Sequence, residues 1–166
     1  MKISNTIKVA LNAADGTVMI MSFITDDKHG YTNEPTTENI QKEIDSACNS
    51  LDSIKLPIQS WSVIDPSEIP TDRTYRNAWH RPNDKIEHNI PIAKELHRGI
   101  LRENRAVLLA QLDIEYQRAD ETGDTTLKQS IALKKQKLRD VTKHPDIDAA
   151  QTVDDLKLIT IETHGV

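Results

Sequence analysis

The stretch IKVALNAADGTVMIMSFI, Ile7–Ile24, decides the class of fold. Ile7, Val9 and Leu11 alternate with Lys8 and Ala10, the period-two pattern of a half-buried strand. Asn12–Gly16 is a turn cluster, and Asp15-Gly16 supplies a residue that tolerates positive φ. Val18, Met19, Ile20, Met21, Phe23 and Ile24 read as a returning strand. It is apolar on both faces, which predicts a central place in a sheet or one beneath a helix. The pair is a β-hairpin.

Outward from the hairpin, Thr25–Pro35 is polar, contains Gly30 and Pro35, and reads as a loop. Thr36 or Thr37 then caps a helix on which Ile40, Ile44, Ala47, Cys48 and Leu51 share one stripe. Cys48 reads as a small core residue of that stripe. It lacks the glycine-rich helix start or neighbouring histidine that activates a thiol. Pro57 closes this region, Ser60–Asp65 reads as a third strand with Trp61 and Val63 on one face, and 65–70 is a turn. Residues 1–70 therefore predict a small β-β-α-β unit, and 71–89 a connecting segment.

The second half has helical spacing. Asn89-Ile90-Pro91 is a helix entry, with Asn as cap and Pro in the first turn. Ile92, Leu96, Ile100, Leu101, Leu108, Leu109, Leu112 and Tyr116 carry the pattern to about Asp120. Glu121–Asp124 stops this helix and caps a second one, marked by Leu127, Ile131 and Leu138 and ending near Val141. Thr152 and Asp155 form a capping box for a third, short helix carrying Leu156 and Ile159. Residues 90–166 thus predict an αα-hairpin with a short terminal helix, and the whole chain an α+β fold.

Composition narrows the function. The 166 residues are 37% hydrophobic, enough for lean cores and too little for a large buried sheet. The net charge is −5, from 21 basic and 26 acidic residues, which argues against a partner that is nucleic acid or an anionic membrane. Lys134, Lys135, Lys137 and Arg139 cluster, but acidic residues share the hairpin and no stacking aromatics interleave, so they read as a solvated helix face. The single cysteine, Cys48, excludes an internal disulfide and Cys-based metal sites. No signal-like or bilayer-length apolar run is seen, and a soluble product without an export signal of its own is expected.

Catalytic patterns are missing. Gly-x-Ser-x-Gly, P-loop and Gly-x-Gly-x-x-Gly motifs do not occur. His88 and His97 fit no common zinc spacing, and His-Glu-x-x-His is absent, so no metal and no cofactor are expected. Asp26-Asp27 and Asp154-Asp155 read as solvated or capping carboxylates. A hydrolase using His80 or His88 is the enzymatic alternative. The richest stretch is Asp72–Trp79. Arg73, Tyr75, Arg76 and Trp79 are of the types that dominate binding hot spots, and they form the candidate protein-binding set. The competing reading packs Tyr75 and Trp79 back onto the hairpin as core.

IPTDRTYRNAW (Ile69–Trp79), followed by LDIEYQRADETGD (Leu112–Asp124) and KKQKLRDVT (Lys134–Thr142), resembles small tail-module proteins of bacteriophages. Such proteins are often encoded beside tail-fibre genes and described as tail or tail-fibre assembly proteins. The resemblance covers about residues 58–160 and includes Asp65, Arg105, Gln136 and Leu138-Arg139-Asp140. Leu138–Val141 also looks like the end of tail assembly chaperone domains, which have Pro where this chain has Thr142. The resemblance implies a non-enzymatic viral protein without cofactor that binds a tail or tail-fibre subunit and aids its assembly or attachment. A permanent structural place in the virion tail is the alternative. It further implies a host-cytoplasmic location during assembly, and further copies of the chain as a second class of partner.

Overall fold

A computed structural model describes residues 6–24, 36–50 and 57–164. The expected loop at Thr25–Pro35, with Asp26, Asp27 and His29, and the helix position Leu51 lie outside the described residues. The fold is α+β, and the chain divides into two compact units, Met1–His88 and Asn89–Val166.

The first unit is built on strands β1 (Thr6–Ala13), β2 (Val18–Ile24) and β3 (Ile58–Ile64) and helix α1 (Thr37–Ser50). The hairpin turns as expected. Gly16 N–H donates to Ala13 O at 3.0 Å, and Gly16 sits at φ +83°, where an L side chain is strained. The Asp15 carboxylate accepts from the Thr17 amide and hydroxyl at 2.9 and 2.6 Å, and these bonds hold it below its ordinary pKa. The strand order decides between the two places expected of the second strand, which lies beneath α1 through Phe23 and is not central. The order is β2-β1-β3, all antiparallel neighbours, so β1 is central and β2 is an edge.

The reason is that both faces of the sheet are covered. Val9, Leu11 and Phe23 point to one face, where Ile40 and Ile44 of α1 meet them with Met21, Cys48 and Trp61 at the margin. Ala10, Val18 and Ile64 point to the other, where Trp79 packs with Ile69 and Ile86. The alternation in β1 was therefore misleading. Ala10 looks like a spacer but is fully buried, its small side chain lying in the same cluster as an indole. Trp61 and Val63 do share a face, opposite Leu11 and Val9.

The second cover consists of residues 65–88, so all of the expected connecting segment 71–89 except Asn89 belongs to the first unit and the boundary falls after His88. Asp65 caps a 3-10 turn, Pro66–Glu68, through a capping box. A second 3-10 turn, Arg76–Ala78, leads into β4 (Trp79–His80), which pairs with β5 (Glu87–His88). An isolated bridge from Thr17 to His80 fastens this flap to the hairpin.

The second unit is organised by α2 (Ile90–Glu121), capped by Asn89 with Pro91 in its first turn. It ends at Gly123, φ +72°, where Asp124 N–H donates to Ala119 O and Gly123 N–H to Asp120 O. Asp124 then caps α3 (Thr125–Asp140), accepting from Leu127 N–H at 2.9 Å. The terminal region holds more than the one helix expected. Three short helices follow, α4 (Pro145–Ala149), α5 (Val153–Lys157) and α6 (Ile161–His164). Thr152 and Asp155 form the expected capping box on α5.

The core of this unit includes Ala119 on α2 and Ile131 and Leu138 on α3, and it continues into the base. Ala93, His97 and Leu101 form a buried stripe on α2, and Ile147, Leu156 and Ile161 in the terminal helices are buried with Ile159 between α5 and α6. Further along the hairpin, Val107 and Ile114 on α2 and Leu133 on α3 are 53–67% exposed, because two helices alone cannot cover each other all round. Truncating Leu156 to Ala is expected to cost about 2–5 kcal/mol. Leu133→Ala should stay within about 0.5 kcal/mol. Urea denaturation followed by the helical circular dichroism signal checks both.

Candidate functional site

The structure divides the four candidate binding residues into two pairs. Tyr75 and Trp79 are 2% and 4% exposed and belong to the core of the first unit. They are corrected from contact residues to packing residues. The 3-10 turn turns both rings inward, and the Trp79 indole N–H donates to His88 Nε2 at 3.1 Å. Arg73 and Arg76 lie on the opposite side of the same segment and are exposed. Among the described residues neither forms an ion pair.

These two guanidinium groups, with Asn77, flank a recess of about 250 Å³ whose other wall is Val18, Met19 and Ile20. No strand pairs with the outer edge of β2 among the described residues, apart from the Thr17–His80 bridge beside it. An open strand edge and two cations therefore adjoin one concave surface. A larger groove, about 710 Å³, runs between α1 and β3, with Cys48 and Trp61 in its wall. There the Trp61 indole donates to Gln41 Oε1 at 2.6 Å.

The histidines named for an enzymatic alternative have other work in this fold. His88 Nε2 accepts from Trp79, which engages the lone pair a general base would need. His80 pairs with Glu87 in the β4–β5 ladder, and its buried Nδ1 has no hydrogen-bond partner among the described residues. Beside it, Arg81, whose side chain is only 7% exposed, donates to Ser62 Oγ and lies 3.5 Å from the exposed carboxylate of Asp84.

In the second unit the basic cluster is partly neutralised. Lys135 pairs with Asp113, Lys128 pairs with Asp120, and both ammonium groups stand 5.1–5.3 Å from the Tyr116 ring. The Asp120 hydrogen bond raises the Lys128 pKa above its ordinary value.

Two arrangements were not legible in the sequence. His97 is buried, and its Nε2–H donates to Ile159 O at 2.9 Å, fastening the terminal segment to α2. Burial is the main cause holding its pKa below 6.5. The other is a convergence of His144, Asp146 and His164, each offering a ligand atom within 4.8 Å of the others. The local His144-x-Asp146 spacing was the visible signal. Only the folding back of α6 supplies the third member.

No family model, curated protein or solved structure matches the chain.

Two expectations follow from these placements. Trp79→Ala should cost about 3–5 kcal/mol, as a large buried aromatic does. Arg73→Ala and Arg76→Ala should leave the melting temperature almost unchanged. Thermal melts of the three variants check the division. For His97, the unfolded chain binds more protons than the folded one once pH falls below about 6.5. Its contribution is complete above that value and declines as pH falls towards the lower folded value. His97→Gln should therefore flatten the fall in melting temperature between neutral and mildly acid pH.

Proposed function

We propose that the chain is a non-enzymatic bacteriophage tail-associated protein that binds a tail or tail-fibre subunit and aids its assembly or attachment. The resemblance over residues 58–160 supplies the class of partner. The observation that carries the binding surface is the exposure of Arg73 and Arg76 on a segment anchored from beneath by Tyr75 and Trp79. Anchoring lowers the ordering entropy that association costs. Arginine suits the task because its planar guanidinium meets a carboxylate through two parallel hydrogen bonds. The matching patch on the partner is acidic. The open edge of β2 lies alongside and offers backbone groups to an extended segment.

Co-expression with the tail-fibre subunit encoded nearby, followed by affinity capture, tests the reading. The native chain should retain that subunit. Arg73→Glu with Arg76→Glu should reduce capture by about tenfold or more while the melting temperature holds. Equal capture by the doubly reversed variant would remove this surface from the interface. Copies counted in purified particles separate an assembly factor from a resident tail component.

A further inference from the structure

We propose that His144, Asp146 and His164 form a binding site for a divalent transition-metal ion of the zinc type, which clips α6 to the start of α4. The donor chemistry selects the ion class. Two imidazole nitrogens and one carboxylate oxygen form a borderline set that zinc accepts, whereas magnesium and calcium prefer oxygen alone.

The spacing agrees. A tetrahedral ion with bonds of about 2.0–2.1 Å sets its ligand atoms about 3.3 Å apart. Asp146 Oδ2 lies 3.2 Å from His164 Nε2 and 3.5 Å from His144 Nδ1. The two rings stand edge to face, with centroids 4.3 Å apart and planes at 72°, so neither blocks the other. The two ring nitrogens lie within 4.8 Å of each other, and they close on the ion as it binds. The long 3.3 Å contact from Asp146 N–H to His144 Nδ1 gives way as that lone pair turns to the ion.

The surroundings support the ligands. His144 and Asp146 bracket Pro145 at the first turn of α4, and buried Ile147 and Ile161 seat α4 and α6 in the unit. His164 Nδ1 lies 2.6 Å from Thr163 Oγ1, and that hydroxyl lies 3.0 Å from Leu158 O. With an ion on Nε2, the ring proton sits on Nδ1 and donates to Thr163, whose own proton goes to the Leu158 carbonyl. Such a supporting chain orients a metal-bound imidazole and fixes its tautomer. Without an ion, Nε2–H donates to Asp146 instead. The two states therefore place the His164 proton on different nitrogens. Asp146 is 57% exposed, which leaves the fourth position to water.

The test uses the full chain with zinc chloride alone, by isothermal titration calorimetry and by nitrogen-15 spectra of the imidazoles. The expected result is one ion per chain, with the His144 and His164 rings shifting and the His164 proton moving to Nδ1. His144→Ala with His164→Ala should weaken binding by at least about a hundredfold, beyond the effect of disturbing a supporting hydrogen bond. Asp146→Asn keeps the size and an acceptor of the carboxylate and should weaken it in the same direction, which covers the case in which the double variant fails to fold. Absence of heat and of ring shifts at millimolar zinc overturns the site. Undiminished binding by Asp146→Asn with unshifted His144 and His164 rings does so as well.

Discussion

The indole of Trp79 determines what the first unit can be. Three strands and one helix form a two-layer unit whose second sheet face would lie open to water, too small a core to hold alone. Trp79 closes that face together with Ala10, Val18 and Ile64. Its ring nitrogen is satisfied by His88, so a large aromatic is buried without an orphaned donor. Several other features depend on this placement. β1 becomes buried on both faces, the flap 65–88 becomes part of the unit, and Arg73 and Arg76 are held outward because Tyr75 and Trp79 are held inward.

The second unit meets the same shortage of apolar surface in a different way. Its terminal helices are too short to bury much, and side chains of α2 bind them through polar groups. Arg105 donates to Leu138 O and Arg139 O at 3.1 and 2.6 Å, satisfying carbonyls that the end of α3 leaves unpaired. Arg98 reaches Thr142 O and the Asp148 carboxylate, and Lys94 reaches Asp148 O. With the His97 bond to Ile159 O, Lys94, His97 and Arg98 on α2 hold the chain that follows α3, while Arg105 holds the last turn of α3 itself. The proposed ion at His144, Asp146 and His164 adds a further clip where α6, only four residues long, has little apolar surface of its own.

The elements were largely legible where one local rule decided them. The hairpin with Gly16, the Asn89 cap, the Gly123 stop and the Thr152–Asp155 box all appear where turn and capping chemistry place them. The binding set was half legible. Residue type marks Tyr75 and Trp79 equally as hot-spot residues and as core residues, and only burial separates the two. The meeting of His144, Asp146 and His164 was not legible, because eighteen positions separate Asp146 from His164 and no periodicity links them.

By itself the sequence determined the α+β class, the hairpin, the two long helices and their caps. Each of these depends on residues within a few positions of one another, where φ preference, hydrophobic period and capping hydrogen bonds act. Tertiary structure alone decided the order β2-β1-β3, the membership of residues 71–88 in the first unit, the inward turn of Tyr75 and Trp79 and the meeting of His144 with His164. Those outcomes depend on which surfaces remained uncovered once the local elements had formed. That quantity belongs to the packed chain, and no window of sequence contains it.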